Sequence, residues 1–450
     1  MQTSVSAGVA VGRSFALLND GNAEPRERAT GRPLSLVGGR ESAIAPAYAT
    51  APLPTPQDCA WDAISLFSGG GGLDLGFTAE GVRINAAYDN WRPALLCHDA
   101  ALPGAARLAD LQRFTPDERC AILLAGAPCQ GFSTAGRRDA EDPRNALLRR
   151  VADITLTTKP RVVVVENVPA ALSGRHGRHW TVLEDRLRLS GYHVRRVFLS
   201  GEESGVSQRR RRLFMLAWLG NDCIRLELEK DPAPSLRSSL AGVEDQVDHD
   251  PHWPERQSLD AKIAAGIGAG QKLSNVRTSA RAVPTWQMPE VFGATSFDER
   301  SVLRAVSVLR RRARRRNWGD GDPVDLHILA AEVGFDPRPH VMRLIEANYL
   351  RSIDGRVELR HTYNGKYRRL SWEEASPTVD THFGRPSLFL HPDQDRGLSV
   401  REAARIQGFA DAYRLPVRRA EAFEIIGNAV PPPMAGRLAA FIREALLKVG

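Results

Sequence analysis

The chain contains 450 residues, of which 42% are hydrophobic and 25% are charged, and its formal net charge is +8 with a pI near 9.5. It is too long for one ordinary domain of about 100 to 200 residues, so we expect two or three folded units. Its five cysteines include no CxxC pair, which argues against a disulfide scaffold or a zinc site and favours a reducing compartment. No apolar run approaches the length of about 20 residues that spans a membrane, so we expect a soluble cytoplasmic protein.

The first part of the chain shows no sustained periodicity. Residues 1–60 are rich in Ala, Gly, Ser, Pro and Arg, a composition that predicts a disordered N-terminal extension. Among the 61 basic residues of the whole chain only six are Lys, which leaves 55 Arg. Arginine suits bidentate contact with phosphates and guanine edges, although codon bias in an Arg-rich genome explains part of the excess.

A glycine-rich segment follows the first predicted strand. Residues 63–67 (AISLF) run into SGGGGLDLGF at 68–77, and a strand, then glycines, then a helix lets a ligand approach the backbone beside a helix N-terminus. Asp89 ends a second predicted strand and would suit the hydroxyls of a ribose. Asp110 follows a third short segment in the same way. Taken singly, each acid is more often a helix cap or a solvated side chain.

A cysteine and a glutamate follow the next two predicted strands. Cys129 lies in GAPCQGFS after the apolar run 122–124, and Glu166 ends the valine run 162–165. A continuous apolar run predicts a strand buried on both faces, and ligands bind where the carboxyl ends of such strands meet. We therefore expect a thiol with a lowered pKa and a partly desolvated, proton-donating carboxyl group at this edge. A buried inert cysteine and a solvated glutamate are the alternatives.

Four consecutive arginines precede a further apolar strand. The segment SGVSQRRRR at 204–212 leads into LFML at 213–216. Because side chains alternate between two faces along a strand, we expect two of these arginines to point toward the site. A solvated charge run is the alternative.

Taken together, these segments resemble the cytosine-C5 DNA methyltransferases of the bacterial type. The segments that carry the resemblance stand in the family's order: the glycine loop from Phe67, PCQ at 128–130, ENV at 166–168, QRRRR at 208–212, REAARIQGF at 401–409 and GNAVP at 427–431. Several motifs in one order are far more specific than any of them alone. The resemblance covers residues 61–220 and 375–450.

The resemblance implies a fold and a reaction. The fold is an α/β, doubly wound, Rossmann-like sheet of an S-adenosylmethionine-dependent methyltransferase. Cys129 would attack C6 of a cytosine flipped out of the duplex, and Glu166 would hydrogen-bond or protonate N3. Arg210 and Arg212 would contact the base or support the covalent adduct, with Gln208 beside them. C5 would then accept the methyl group, and loss of the C5 proton would expel the thiol.

The resemblance also implies which residues bind the cofactor. Asp89 would hold the ribose, Asp110 would face the adenine, and Asn428 would close the methionine end. The remaining cofactor-binding residues would be Phe67, Gly69, Gly71, Gly72 and Pro128. Two residues depart from the family's pattern: Trp91 lies one place later than the expected aromatic residue, which puts its stacking on adenine in doubt, and Ser207 replaces a common Pro.

Residues 229–375 leave the strand and helix alternation, and the family places its target-recognition region there. Within it we predict a very basic helix over 300–316, two more helices over 324–333 and 340–350, and a hairpin around Asp354 and Gly355. This order is typical of a winged helix, here over 299–361, whose third helix would enter the major groove. Arg310 and the arginines up to Arg316 would contact phosphates. A helical insert packed on the catalytic domain is the alternative.

We therefore expect a catalytic domain over 61–228 that is completed by 376–450, with the smaller recognition domain over 229–375 between them. The expected activity is that of a DNA (cytosine-5-)-methyltransferase that acts on double-stranded DNA as a monomer in the bacterial nucleoid, without a metal ion or membrane contact. Its role would be restriction–modification or phage defence, with companion restriction or defence proteins. Two rivals stay open: an RNA cytosine-C5 methyltransferase, and a DNA-binding regulator on an inactive methyltransferase scaffold.

Overall fold

The computed structural model describes residues 46–53, 61–128, 147–174, 177–220, 227–312, 314–315 and 320–447. Its centre is a seven-stranded sheet composed of β1 (Trp61–Leu66), β2 (Val82–Asp89), β3 (Ala106–Leu108), β4 (Ile122–Gly126), β5 (Val162–Asn167), β6 (His193–Ser200) and β7 (Arg211–Trp218). The strands lie in the order β3-β2-β1-β4-β5-β7-β6, and all neighbours are parallel except β7, which runs antiparallel to β5 and β6. The predicted α/β architecture is confirmed.

The central parallel strands are buried on both faces. The four valines of β5, residues 162–165, are fully buried, as expected of β-branched side chains packed between two layers of helices. β4 and β5 pair in register, which places Gly126 beside Glu166. The carboxyl ends of the two strands therefore meet at one edge of the sheet.

A helical turn, α1 (Ala47–Thr50), precedes the sheet in the chain. The hydroxyl of Tyr48 donates a hydrogen bond of 2.9 Å to the carbonyl oxygen of Arg405, and Ala49 is fully buried. Residues 46–53 therefore dock on the folded domain through these two side chains, within the segment 1–60 for which the sequence predicted a disordered or weakly ordered extension. Residues 1–45 and 54–60 lie outside the described part of the chain.

Helices cover both faces of the sheet and form two hydrophobic cores with it. α2 (Gly72–Ala79) and α3 (Arg92–Ala101) pack on one face, and α4 (Leu147–Thr158) and α5 (Gly177–Leu189) pack on the other. In α4 the buried residues include Leu148, Val151, Ala152 and Thr155, a spacing that gives one apolar face. None of the described helices is long and apolar enough to cross a membrane.

The region between residues 229 and 375 has its own elements and cores. They are α6 (Leu236–Ser239), α7 (Leu259–Ala265), β8 (Lys272–Ser274), β9 (Ala282–Val283), α8 (Pro289–Phe292), α9 (Phe297–Arg312), α10 (Leu326–Val333), α11 (Arg338–Glu346), β10 (Leu350–Ile353), β11 (Arg356–Leu359), β12 (Asn364–Lys366) and β13 (Arg368–Arg369). β12, β8 and β9 form a small sheet in that order. α7 packs against this sheet through Ile263 and Ala264.

Three helices and a hairpin within this region share one core. α9, α10, α11, β10 and β11 bury Leu303, Leu329, Leu344 and Val357 in it. The predicted hairpin turn is confirmed, because Asp354 and Gly355 have φ values of 50° and 74°, as a two-residue type I′ turn requires. Backbone hydrogen bonds also join Val324 to Val357, so the hairpin pairs with the segment that precedes α10.

Arg310 lies inside this core and not on the surface that was predicted to contact phosphates. Its side chain is 4% exposed, and its guanidinium donates hydrogen bonds of 2.8 and 3.2 Å to the two carboxylate oxygens of Glu358. The cause is the periodicity of α9, which places Arg310 on the buried face with Val306 and Leu309. The prediction is wrong for Arg310. The neighbouring Arg311 is exposed.

The last part of the chain completes the catalytic domain with β14 (Phe389–Leu390), α12 (Val400–Gln407), α13 (Arg419–Asn428) and α14 (Pro432–Ile442). A reciprocal capping box between Ser399 and Glu402 fixes the start of α12. The segment between α13 and α14 approaches the start of α2 so closely that a Cβ atom on Gly72 would lie 2.3 Å from the carbonyl oxygen of Val430. Only glycine permits this approach.

Candidate active site

A cavity of about 480 Å³ opens at the edge of the sheet where the parallel strands end. Its wall includes residues of the glycine loop (residues 68–72), the ends of β2, β4 and β5, and the end of α13. Most of the side chains predicted to bind the cofactor line it, together with two of those predicted to act on the base. These are Phe67, Gly69, Gly72, Asp89, Asp110, Pro128, Asn428, Glu166 and Arg212.

The glycine loop is fixed by a carboxylate at the end of the neighbouring strand. Asp89 accepts hydrogen bonds from the backbone N–H groups of Gly69 and Trp91, each at 2.9 Å. Burial raises the pKa of this carboxyl group, and the same N–H donors oppose the rise. Phe67, just before the loop, has a φ of 54°, which costs an ordinary residue about 1 to 3 kcal/mol. Strain of this kind is concentrated at functional sites.

Asp110 and Asn428 reach the cavity from other parts of the chain. Asp110 accepts a hydrogen bond of 3.0 Å from the backbone N–H of Gln112, and Asn428 is the last residue of α13. Both side chains are exposed, so both are available to a ligand. Gly71 is the one predicted cofactor residue that does not line the cavity, because it packs against the ring of His98.

Glu166 and Arg212 form an ion pair in the cavity wall. Nε of Arg212 lies 2.7 Å from Oε1 of Glu166, and the two side chains are only 11% and 10% exposed. Burial raises the pKa of Glu166, while Arg212 and Arg210 oppose the rise. A carboxyl group with a raised pKa, oriented by a guanidinium, can donate a proton to a bound base.

Arg210 does not join Arg212 in the cavity. Its side chain is fully buried, and its guanidinium donates hydrogen bonds of 2.8 to 2.9 Å to the carbonyl oxygens of Val379, Gly427 and Ala429. The expectation that both guanidinium groups face the base is therefore not met. Strand β7 begins only at residue 211, so its alternation does not extend back to Arg210. Arg210 instead anchors the returning segment to the catalytic domain.

The predicted nucleophile, Cys129, lies outside the described residues, as does the whole of 129–146. The preceding residue, Pro128, lines the cavity. The described chain therefore leads to the cavity along β4, and the role of Cys129 stays a prediction.

Several residues of the cavity wall were doubted or missed in the sequence. Trp91 lines the cavity, although it lies one place later after Asp89 than the aromatic residue that the family's pattern predicts. An aromatic residue this close after the predicted ribose-binding acid was the signal in the sequence that could have identified it. Ser65 on β1 and Glu424 on α13 also line the cavity. Nothing in the sequence distinguishes this serine and this glutamate from ordinary core and surface residues.

The fold and the cavity define a class of protein. A mostly parallel, twisted sheet with a glycine loop after its first strand and an acid after its second is typical of Rossmann-like enzymes that bind an adenosine-containing cofactor. Comparison with known protein families assigns the chain more narrowly than this class of enzymes. The family model of the C-5 cytosine-specific DNA methylases matches residues 61–444, so the chain belongs to this family.

Relatives of known name support the same assignment. The type II methyltransferase M.AgeI of Thalassovita gelatinovora is 29% identical over 437 residues, which cover 85% of this chain and 99% of the relative. DNA (cytosine-5)-methyltransferase 3 of Arabidopsis thaliana is 28% identical over 337 residues, which cover 72% of this chain and 23% of the relative. A solved DNA modification methyltransferase encoded within an E. coli prophage has a TM-score of 0.51 at 19% identity, covering 86% of this chain and 100% of that one. This last similarity supports the fold.

Proposed function

We propose that this protein is a DNA (cytosine-5-)-methyltransferase that transfers a methyl group from S-adenosylmethionine to C5 of a flipped-out cytosine in double-stranded DNA. The observation that carries the proposal is the Glu166–Arg212 pair, which lines the same cavity as the glycine loop and Asp89. A proton-donating carboxyl group and a cofactor loop in one cavity bring the base and the methyl donor together.

The cavity suits S-adenosylmethionine. Its volume of about 480 Å³ lies within the range of roughly 300 to 1,000 Å³ that small-molecule sites occupy. Asp89 would accept hydrogen bonds from the ribose hydroxyls, Trp91 would cover the adenine and Asp110 would face it. Asn428 and the N-terminus of α2 would hold the methionine end, whose carboxylate is attracted by the helix dipole. When bound, the cofactor supplies an electrophilic methyl group.

The chain's own groups would make C5 of cytosine reactive. The base first leaves the duplex, which costs a few kcal/mol. The thiolate of Cys129 then adds to C6, while Glu166 donates a hydrogen bond or a proton to N3 and the electron pair moves to C5. Arg212 would hold the Glu166 carboxyl group toward the base. After methyl transfer, a water molecule takes the C5 proton, the double bond between C5 and C6 forms again, and the thiolate of Cys129 leaves with the electron pair of its bond to C6. Glu166 takes back the proton that it supplied to N3.

The DNA would lie across a basic groove at the border of residues 229–375. This groove has a volume of about 170 Å³ and is lined by Lys272, Arg281, Arg368 and Arg209. A Cβ atom on Gly365 would lie 3.3 Å from Nη2 of Arg368 and 3.9 Å from Nζ of Lys272, so these two cations converge. Neither forms an ion pair with a described carboxylate, and burial together with neighbouring cations lowers the pKa of both. Such a site suits a DNA phosphate.

One residue of this groove, Arg209, precedes Arg212 of the cavity wall within the same QRRRR segment. Among the described residues that line it, Glu374 is the one acid, and it pairs with Arg281 at 2.8 Å and with Arg209 at 3.1 Å. The backbone N–H of Arg209 also donates a hydrogen bond of 2.8 Å to the carbonyl oxygen of Ser376. Since Arg209 opens the segment that reaches Arg212, a phosphodiester chain in the groove would pass close to the entrance used by the base.

The insert, predicted over residues 299–361, would add a second DNA contact. The order of α9, the bridge at Val324, α10, α11 and the hairpin β10–β11 supports the proposal of a winged helix, and in such folds the third helix enters the major groove. The exposed Arg311 at the end of α9 would contact phosphates, whereas Arg312 pairs with Glu332 at 3.1 Å. The alternative of a purely structural insert has support from α11, where Arg338 and Arg343 already pair with acids.

Transfer of a tritiated methyl group tests the proposed function. We expect incorporation into duplex DNA and not into tRNA, with 5-methylcytosine located by bisulfite sequencing. Methylation of tRNA and not of duplex DNA would show instead that the protein is an RNA cytosine-C5 methyltransferase. A folded protein that binds cofactor and duplex DNA but transfers no methyl group would show that it is a DNA-binding regulator on an inactive methyltransferase scaffold.

A role in restriction–modification or phage defence rests on the relatives, several of which are named type II methyltransferases. We propose that the protein acts as a monomer and protects host DNA from a companion nuclease. Loss of protection of host DNA after deletion of the gene, and the mass of the protein in solution, test these two points.

A further inference from the structure

A buried pair of ionisable residues lies directly behind the glycine loop. Asp74, in the first turn of α2, and His98, in α3, are both fully buried, and Nε2 of His98 lies 2.8 Å from Oδ2 of Asp74. The hydroxyl of Ser65 donates a hydrogen bond of 2.7 Å to the other carboxylate oxygen. Because Ser65 also lines the cavity, the three residues connect β1, α2 and α3 beneath the surface that a cofactor would contact.

Stability of the fold is a weak explanation for this pair. Removing a carboxylate from water is costly unless it is paired and hydrogen-bonded. Replacing such a buried pair with apolar residues of similar volume is often neutral or even stabilising. A contribution to the stability of the core therefore does not explain why Asp74 and His98 are buried as a pair. Their position against the glycine loop indicates that they support the loop.

His98 supports the loop at its left-handed turn. Gly71 has a φ of 85°, and a Cβ atom on it would lie 2.9 Å from Cδ2 of His98. The imidazole ring thus packs directly against the backbone of the loop. On the other side, the carboxylate of Asp89 accepts a hydrogen bond from the N–H of Gly69. Two acids therefore hold the loop from opposite sides. Asp89 binds its backbone directly, and Asp74 acts through the ring of His98.

The orientation of this ring depends on Asp74. Nε2 of His98 and Oδ2 of Asp74 lie within hydrogen-bond distance of each other, and a carboxylate in this contact accepts the hydrogen bond from the ring. The other ring nitrogen, Nδ1, is buried and has no hydrogen-bond partner among the described residues. Within the described part of the chain, the bond to Asp74 is therefore the one hydrogen bond that orients the ring toward Gly71.

We propose that Asp74 and His98 are positioning residues for the methyl-donor site, which hold the glycine loop in the conformation that receives S-adenosylmethionine without touching it. The proposal rests on the proposed function for the identity of the donor. Loss of the pair would loosen the loop around Gly71, so affinity for the donor should fall. The groups that act on cytosine, Glu166 and Arg212, lie on other strands and should keep their geometry.

Calorimetric binding of S-adenosylhomocysteine to the purified full-length protein tests this proposal without requiring turnover. We expect His98→Ala and Asp74→Leu, neither of which can keep the hydrogen bond between the two side chains, to raise the Kd about tenfold or more, because a loosely supported binding loop loses affinity. The KM for the donor should rise by a similar factor, while the Kd for DNA and the kcat at saturating donor change by less than about twofold. His98→Gln, whose amide can donate to Asp74, should regain most of the affinity.

Glu184→Gln is the matched control. Glu184 is also a buried carboxylate, bound to Trp180 and Arg196, but it belongs to the core on the opposite face of the sheet. This variant should lower Tm and leave the Kd for S-adenosylhomocysteine unchanged.

An unchanged Kd in folded Asp74→Leu and His98→Ala proteins, or equal weakening in Glu184→Gln, would overturn the proposal. If His98→Ala does not fold, Asp74→Leu decides the question in the same way. Failure of the unmodified protein to bind S-adenosylhomocysteine would instead contradict the proposed function.

Discussion

Arg212 and Glu166 face each other across the antiparallel pair β5 and β7, with Nε of the arginine 2.7 Å from Oε1 of the carboxyl group. Burial raises the pKa of Glu166, and the positive charge of Arg212 opposes that rise. The form of Glu166 that can donate a proton to cytosine is the neutral acid. Methyl transfer should therefore decline as the pH rises through the raised pKa of Glu166.

Replacing Arg212 with Gln should move this decline to higher pH. The substitution removes the charge that favours the carboxylate, so the pKa of Glu166 should rise further. The rate at its optimum should also fall, because Gln cannot orient the carboxyl group as a guanidinium does. Single-turnover methyl transfer measured across pH provides the test. Arg211→Gln is the control, since Arg211 is exposed, and a shift of the decline to lower pH in Arg212→Gln would contradict the assignment of Glu166 as the acid.

Asp89 and Asp110 should differ in their importance for donor binding. Asp89 organises the glycine loop through two backbone hydrogen bonds, and hydrogen bonds to a charged group contribute about 1.5 to 3 kcal/mol each. We expect Asp89→Ala to raise the Kd for S-adenosylhomocysteine by about 10- to 100-fold, the equivalent of one such hydrogen bond. Asp110→Ala should have a smaller effect, because the exposed carboxylate of Asp110 accepts one hydrogen bond from the described part of the chain, that of the Gln112 N–H group. Equal effects in calorimetry would show that Asp89 does not organise the loop.

Cys129→Ser should abolish methyl transfer while donor binding persists. A serine hydroxyl is a far weaker nucleophile than a thiolate, and loss of a nucleophile costs about 10⁴-fold or more in rate. Covalent trapping on DNA that contains 5-fluorocytosine should also fail in this variant. Cys97→Ser is the matched control, because Cys97 is buried and burial raises the pKa of its thiol to about 12. The Cys97→Ser protein should therefore still be trapped on this DNA as the unmodified protein is. Full activity of Cys129→Ser would contradict the covalent mechanism.

The sequence predicted the elements that depend on local patterns. The valine run before Glu166, the strand that ends in Asp89 and the hairpin turn at Asp354 and Gly355 all follow from residue type and period, and the structure confirms each of them. These features require only neighbours in the chain. They are therefore visible without knowledge of how the chain folds back on itself.

Relationships between distant segments were not predictable in this way. The resemblance implied that Arg210 acts on the base beside Arg212, but Arg210 binds carbonyl oxygens of a segment that returns only near the end of the chain. Asp74 and His98 meet across two helices, and neither has a sequence signal apart from its residue type. Arg310 looked like part of a surface charge run until the buried face of α9 was known.

Lys272 and Arg368 should account for part of the salt dependence of DNA binding. Each phosphate contact contributes about 0.9 to the slope of log K against log salt, so the double substitution to Gln should lower the slope by about two. Affinity should fall for all DNA sequences alike, and the Kd for S-adenosylhomocysteine should not change. Lys159→Gln is the control, because Lys159 is exposed just before β5, at the edge of the sheet opposite the cavity. An unchanged slope in the double variant would exclude the groove as a phosphate site.

Arg310→Ala should destabilise the insert and not simply weaken contact with DNA. Removing one partner of a buried ion pair leaves the other charge uncompensated and costs about 3 to 5 kcal/mol, here by stranding the carboxylate of Glu358. Faster hydrogen exchange and proteolysis within residues 297–360 should report this loss, and the double substitution Arg310→Met with Glu358→Leu should restore protection because neither charge remains buried. Arg311→Ala should change stability by less than about 0.5 kcal/mol. If Arg310→Ala lowered the salt slope of DNA binding and left exchange unchanged, Arg310 would be a phosphate contact after all, and its burial against Glu358 would not describe the protein in solution.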